Sequence, residues 1–176
     1  MEDVIQKYIE NGSHGDLDIG PDVTSLPDDL RVRGKLRLRN STIKTLPKNL
    51  QVDGSLNLSG SNITTLPDDI KIGGGIDLTH SNIRTLPDNL NVQGNLYLAG
   101  ARFLEKLPRG LKIRGYLFME HGPKIFKVED LPGDLEVNGR ICSNYFTDKE
   151  AKNYLKYYQQ IKELEKKLPE LEGIFL

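Results

Sequence analysis

The chain has 176 residues, with 24 Lys and Arg against 25 Asp and Glu, and a single cysteine, Cys142. Charge this close to balance gives no bulk attraction for nucleic acid or an acidic membrane, so such a role needs a local patch, and one cysteine excludes an internal disulfide framework and suits a reducing compartment. Met1 is followed by Glu2 and Asp3 and no long apolar run occurs, so neither a signal peptide nor a membrane span is expected, and the chain reads as soluble and cytoplasmic.

The first 13 residues carry Val4, Ile5, Tyr8 and Ile9 on one helical face, and Asn11-Gly12 supplies a stop. This spacing predicts a short N-terminal helix over residues 2–10, suited to cover the open end of a stacked array that begins near residue 14.

Residues 14–145 are repetitive. Leu26-Pro27, Leu46-Pro47, Leu66-Pro67 and Leu86-Pro87 recur every 20 residues, each opening a unit of the form L-P-x-x-L-x-V-x-G-x-L-x-L-x-x-S-x-I. Such a period predicts a solenoid of about six to seven coils. Leu17, Ile19, Val23 and Leu26 form a degenerate first unit; Leu50, Val52, Leu56, Leu58, Ile63 and Leu66 typify the regular ones, with Ile70 and Phe103 in the equivalent slots of later coils. Alternation from Leu50 to Leu58 is that of a strand. Gly34, Gly54, Gly74 and Gly94 interrupt the inward-facing set, so each coil is expected to hold two short extended segments joined at a bend or a tight approach. Asp28-Asp29 and Asp68-Asp69 are read as turn residues that bond their own neighbouring backbone. The register slips at Leu107-Pro108, and the extra residues before Leu131-Pro132 are placed in a protruding loop near 120–125.

Residues 146–176 change vocabulary. Thr147 and Glu150 have capping-box spacing, and Ala151, Tyr154, Leu155, Tyr158, Ile161, Leu164 and Leu168 come after them at helical intervals. A helix of about 20 residues ending before Pro169 is predicted, with its stripe on the last coil or, alternatively, in a dimer contact. Leu171 and the tail Gly173-Ile174-Phe175-Leu176 are apolar enough to dock.

The segment Leu56-x-Leu58-x-x-Ser61-x-Ile63-x-x-Leu66-Pro67 resembles the core of leucine-rich repeats, above all the short 20-residue Leu-Pro type of bacterial effectors and small bacterial and bacteriophage proteins. The resemblance implies a leucine-rich-repeat-like solenoid with short parallel strands. Two departures leave a β-helix cross-section open: Ser41, Ser61, Ser81 and Ala101 stand where the family carries Asn or Cys, and a Val-x-Gly segment lengthens the extended part. Some such effectors are ubiquitin ligases through a helical domain with a catalytic cysteine; Cys142 lacks that motif, so the activity is not carried over.

Chemistry is sparse. His14, His80, His121 and Cys142 form no metal-ligand spacing, and Gly73-Gly74-Gly75 is not followed by the Lys-Ser/Thr of a phosphate loop. No cofactor, no metal and no enzymatic activity are expected; a nucleophilic Cys142 is the weaker alternative. Surface remains. Stacked coils place outward residues in columns, one reading Arg37, Asn57, Asp77, Tyr97, Phe118, Cys142 and its neighbour Lys35, Ser55, Gly75, Asn95, Tyr116, Arg140. The coil with Arg31, Arg33, Lys35, Arg37 and Arg39 presents five cations along one strand, for an acidic partner or phosphates, or simply as an edge that resists aggregation. Tyr97, Tyr116 and Phe118 resemble interface anchors, unless the C-terminal helix covers them. With Asn57, Asp77 and His121 these residues make the candidate partner-binding set. The reading is a non-enzymatic protein-interaction module; the resemblance adds a bacteriophage-type inhibitor of a host factor. The alternative is a nucleic-acid binder that stacks bases on the aromatics.

Overall fold

The computed structural model describes residues 2–125 and 127–172. It is a parallel β-solenoid between two helices, α1 (Glu2–Glu10) and α2 (Asp148–Glu172). Each regular coil holds two two-residue strands. The strands after the bend are β1 (Leu17–Asp18), β3 (Leu36–Arg37), β5 (Leu56–Asn57), β7 (Ile76–Asp77), β9 (Leu96–Tyr97), β11 (Leu117–Phe118) and β13 (Ile141–Cys142), and they form one seven-stranded parallel sheet. Those before it are β2 (Arg31–Val32), β4 (Gln51–Val52), β6 (Lys71–Ile72), β8 (Asn91–Val92), β10 (Lys112–Ile113) and β12 (Glu136–Val137). They fall into two three-stranded sheets, β2-β4-β6 and β8-β10-β12.

The glycine between paired strands permits close stacking. A Cβ on Gly54 would lie 2.6 Å from the Gly34 carbonyl oxygen, and the Gly54 N–H donates to that same oxygen at 2.9 Å. Inward Leu, Ile and Val side chains fill the space between the sheets: Val32, Leu36, Leu38, Ile43, Leu56, Leu58 and Ile63 are almost wholly buried. The serine column lies inside with them. Ser61 and Ser81 donate to the Leu58 and Leu78 carbonyls at 2.6 and 2.7 Å, whereas the Ser41 hydroxyl finds no partner among the described residues.

The acidic residues at the Leu-Pro corners link coils instead of closing their own turns. Asp28 accepts the Lys48 N–H at 3.0 Å, Asp88 that of Arg109 at 3.0 Å, and Asp134 that of Gly110 at 2.9 Å. An acceptor one coil away satisfies a corner N–H that the ladder does not reach.

Two corners depart from the series. Asp29, Asn49, Asn89 and Gly110 all adopt left-handed φ, from 56° to 64°, but Asp69 and Asp134 do not. Their carboxylates take the Asn49 and Gly110 N–H groups, and the next residues, Ile70 and Leu135, turn their N–H back to the Pro67 and Pro132 carbonyls. Leu135 is buried, but Ile70 is only half-buried. Beyond it the first-strand ladder stops: Lys112 N–H donates to Leu90 and Arg114 N–H to Val92, but among the described residues the matching Asn91 and Gln93 N–H groups have no acceptor. A cleft of about 520 Å³, lined by Gln51, Asp68, Ile70, Lys71, Asn91 and Gln93 among others, separates the two three-stranded sheets.

Two sequence-based assignments change within the coils. Phe103 is 50 % exposed, and Leu104 fills the slot instead, because the count that matters runs back from the late Leu107. Arg84 lies over the freed Phe103 ring, 5.5 Å from its centroid. The insertion at 120–125 does not protrude: Pro123 and Ile125 are buried and Lys124 N–H rejoins the coil at the Leu104 carbonyl. Extra length is taken up instead by a 3₁₀ turn at Val128–Asp130.

Both ends are closed by helices, each with half of its expected stripe. On α1, Tyr8 is buried and Ile5 half-buried while Val4 and Ile9 face solvent. The Tyr8 hydroxyl donates to the Ser13 carbonyl at 2.7 Å and accepts the Arg33 N–H at 3.2 Å. Gly12, with φ of 76°, ends the helix as its sequence requires. The capping box of α2 forms: Thr147 accepts the Glu150 N–H at 3.2 Å and Glu150 accepts the Thr147 N–H at 2.7 Å. Asp148 then accepts the Ile141 N–H at 2.8 Å, so a carboxylate terminates the seven-stranded ladder where a next coil would have stood. Ala151 and Leu155 are buried beneath, but Ile161 and Leu164 are exposed. The helix also runs past Pro169 to Glu172; proline's fixed φ is compatible with a helix, and its missing N–H and the crowding of the preceding turn affect only the end of α2. The side chains of Leu168 and Leu171, and residues 173–176, lie outside the described residues.

Candidate functional site

The seven-stranded sheet sets the predicted columns in register. Asp18 pairs with Arg37, Arg37 with Asn57, Asn57 with Asp77, Asp77 with Tyr97, Tyr97 with Phe118 and Phe118 with Cys142. Neighbouring side chains of the column therefore stand about 4.8 Å apart. A groove of about 360 Å³ lies on this face, lined by Lys35, Arg37, Arg39, Asn57, Asp77 and Tyr97, with Ser55 and Gly75 in its floor.

The basic strip is not a single strand. Arg31 belongs to β2 and Arg33 to the bend, so only Lys35, Arg37 and Arg39 share the seven-stranded face. Arg37 is also claimed by the first coil: its guanidinium donates to Asp16 at 2.8 Å and to Asp18 at 2.9 Å. The Lys35 N–H and the Arg37 guanidinium hold the Asp16 carboxyl below its usual range, and Asp16 in turn raises Arg37 further. Arg31 pairs with Asp53 at 3.2 Å, and Arg33 lies 3.3 Å from the His14 ring. Lys35 and Arg39 are exposed and, among the described residues, without an ion-pair partner. Asp16, Asp18 and Asp53 lie outside the set that the sequence pattern singles out. Asp18 stands one coil before Arg37, so the repeat spacing itself could have found it.

Asp77 and Asn57 form the middle of the column. Asn57 donates to Asp77 at 3.3 Å, and the other Asp77 oxygen accepts the Thr79 N–H at 3.0 Å. No cation reaches the Asp77 carboxylate among the described residues.

The aromatic trio is assembled as a unit. Tyr97 and Phe118 stack in parallel with centroids 4.7 Å apart, and Tyr116 meets the Phe118 ring edge-on at 6.0 Å. Asn95, in the neighbouring column, donates to the Tyr97 hydroxyl at 2.8 Å and accepts the Tyr116 backbone N–H at 2.9 Å, which holds the Tyr97 ring and the Tyr116 backbone. Helix α2 lies against β13 and the 3₁₀ turn, with Tyr158 over Gly133, and Tyr116 keeps 44 % of its surface exposed.

His121 stands apart from the column. It occupies a left-handed corner, φ 50°, in the series Asn40, Gly60, His80, Gly100, and its N–H donates to Asn144 at 2.7 Å. Cys142 closes the column half-buried; burial pushes its thiol up and the nearby Glu120 charge adds to this. No group of three His, Cys, Asp or Glu side chains suited to a metal ion occurs among the described residues, and no described helix is long and apolar enough to cross a membrane.

Compared with known proteins, the chain matches no family model, no curated protein and no solved structure.

Proposed function

We propose that the protein is a non-enzymatic interaction module whose seven-stranded face holds a specific protein partner. The Tyr97–Phe118 stack carries this reading. Two large rings held parallel on a solvent-facing sheet, with Tyr97 braced by Asn95, are pre-ordered, so an incoming partner gains aromatic contact at little cost in side-chain entropy. A thiol pushed up by burial is the reverse of an activated nucleophile, which argues against chemistry at Cys142.

Acids interleaved with the basic strip favour protein over nucleic acid. Asp16, Asp18 and Asp53 engage Arg37 and Arg31, and a phosphate backbone along the column would also run past Asp77. A family resemblance to short Leu-Pro repeats underlies the narrower reading of an inhibitor of a host factor in the cytoplasm.

The test is affinity capture from the native host with the wild-type chain, Phe118→Ala and Lys35→Glu. One protein retained by the wild type and lost with both variants is the expected result. Retention that collapses between 50 and 200 mM salt (about the range over which phosphate contacts fade) together with nucleic acid in the eluate would replace the proposal with the nucleic-acid reading.

A further inference from the structure

Resting on the sheet-face reading, we infer that the groove takes an extended segment of the partner lying along the column, across the coils, with a carboxylate at one end, a cationic side chain in the middle and an aromatic or large aliphatic side chain at the other. The face has a fixed order of chemistry. At the Arg37 rung, Lys35 and Arg39 flank a guanidinium already closed by Asp16 and Asp18, leaving two exposed cations without an ion-pair partner among the described residues. Two rungs on, Asp77 is an anion without a cation. The next rungs are Tyr97 and then Phe118. A polyanion would gain at the first of these levels and lose at the second, and a purely apolar segment would leave both charged levels unanswered. A segment of mixed sign meets its complement at each.

Spacing narrows the backbone. At about 4.8 Å per rung, Asp77 lies about 10 Å and Phe118 about 19 Å along the column from Arg37. A polyproline-II segment rises about 3.1 Å per residue with three residues per turn, so residues i, i+3 and i+6 share one face at about 9 and 19 Å. A β-strand alternates faces and would turn its i+3 side chain away. The motif is thus acid-x-x-base-x-x-aromatic, in one chain direction or the other. Gly75 lines the groove beside Asp77 without a side chain; the stacking of coils keeps it so, since a Cβ there would come 2.7 Å from the Asn95 carbonyl oxygen of the next coil.

The experiment pans the 176-residue chain against a random linear dodecapeptide phage library, synthesises the most enriched peptide and measures its Kd by fluorescence anisotropy. Variants are Lys35→Glu/Arg39→Glu, Asp77→Lys and Phe118→Ala, each checked for folding by circular dichroism. The expected result is enrichment of an acid and a base three residues apart with an aromatic three further on. Each variant should weaken binding at least tenfold, and exchanging acid and base within the peptide should abolish it. Peptides that lack the acid–base pair yet weaken tenfold with Phe118→Ala would overturn this inference and leave the sheet-face reading standing. Peptides indifferent to all three variants would overturn both, and a library yielding no enriched peptide would overturn the inference.

Discussion

The two walls of this solenoid are built from the same repeat and differ in continuity. The seven-stranded sheet runs unbroken from β1 to β13, while the wall of first strands is cut between β6 and β8. On the continuous wall every rung donates to the next, as Leu56 N–H does to Gly75, Ile76 N–H to Asn95 and Leu96 N–H to Tyr116, and the core beneath it is closed. On the cut wall a corner that does not take left-handed φ at Asp69 leaves Ile70 half-buried and two backbone N–H groups without acceptors among the described residues. A repeat protein can therefore yield locally on one side while the opposite side keeps its side-chain columns in line, since each coil depends on its neighbours through two separate ladders. The candidate site lies on the unbroken wall.

The largest expected contrast between the walls is in packing. Leu58, wholly buried behind the seven-stranded sheet, should cost about 2–5 kcal/mol as Leu58→Ala, whereas Ile70→Ala at the cleft should cost less than about 2 kcal/mol, because a half-exposed side chain has less transfer energy to lose. Urea denaturation of the two variants checks this. Equal losses would mean that the cleft is as well packed as the core.

Acid should act on the end of the continuous wall. Burial pushes the Asp148 carboxyl up, but the Ile141 N–H and the Lys152 ammonium outweigh it and hold the group below its usual range. A carboxyl lowered in the folded state contributes stability that is complete above its unfolded value, about 4, and is lost as pH falls through the folded one. Unfolding curves taken from pH 6 downwards should thus show Asp148→Asn less sensitive to acid than wild type, with the two converging once the carboxyl is protonated.

The smallest contrast lies in the serine column. Ser61→Ala removes a buried bond to Leu58 and should cost about 1 kcal/mol, while Ser41→Ala removes a hydroxyl without a partner among the described residues and should be neutral or slightly stabilising. Thermal melts of both variants decide it.

Whatever depends on the 20-residue count is legible in the sequence. The outward order Arg37, Asn57, Asp77, Tyr97 needs only the period and the alternation, Phe118 and Cys142 are added by following the strand wording across the slip in register, and the whole order holds rung by rung. The capping box at Thr147 and the stop at Gly12 are local signals and hold too. Phe103 is misplaced because a slot counted forward runs through a slip in register. The pairing of Arg37 is invisible to charges read along one coil and needs two coils read together. Nothing in the pattern marks the cut at β6: Asp69 is the same residue type as Asp29, yet only Asp29 adopts left-handed φ. Ile70 does stand in a slot held by leucine at Leu30, Leu50, Leu90 and Leu111, but Asp134 also lacks left-handed φ and is followed by a leucine, Leu135, so the residue type in that slot does not foretell the corner.

Amide hydrogen exchange, read residue by residue, tests the contrast between the walls most directly. Leu96 and Leu98 on the continuous wall, and Lys112 and Arg114 on the intact part of the other, should be protected, while Asn91 and Gln93 exchange at least 100-fold faster. Protection of Asn91 and Gln93 equal to that of Lys112 and Arg114 would mean that both ladders run the length of the solenoid, and the account of two unequal walls would be wrong.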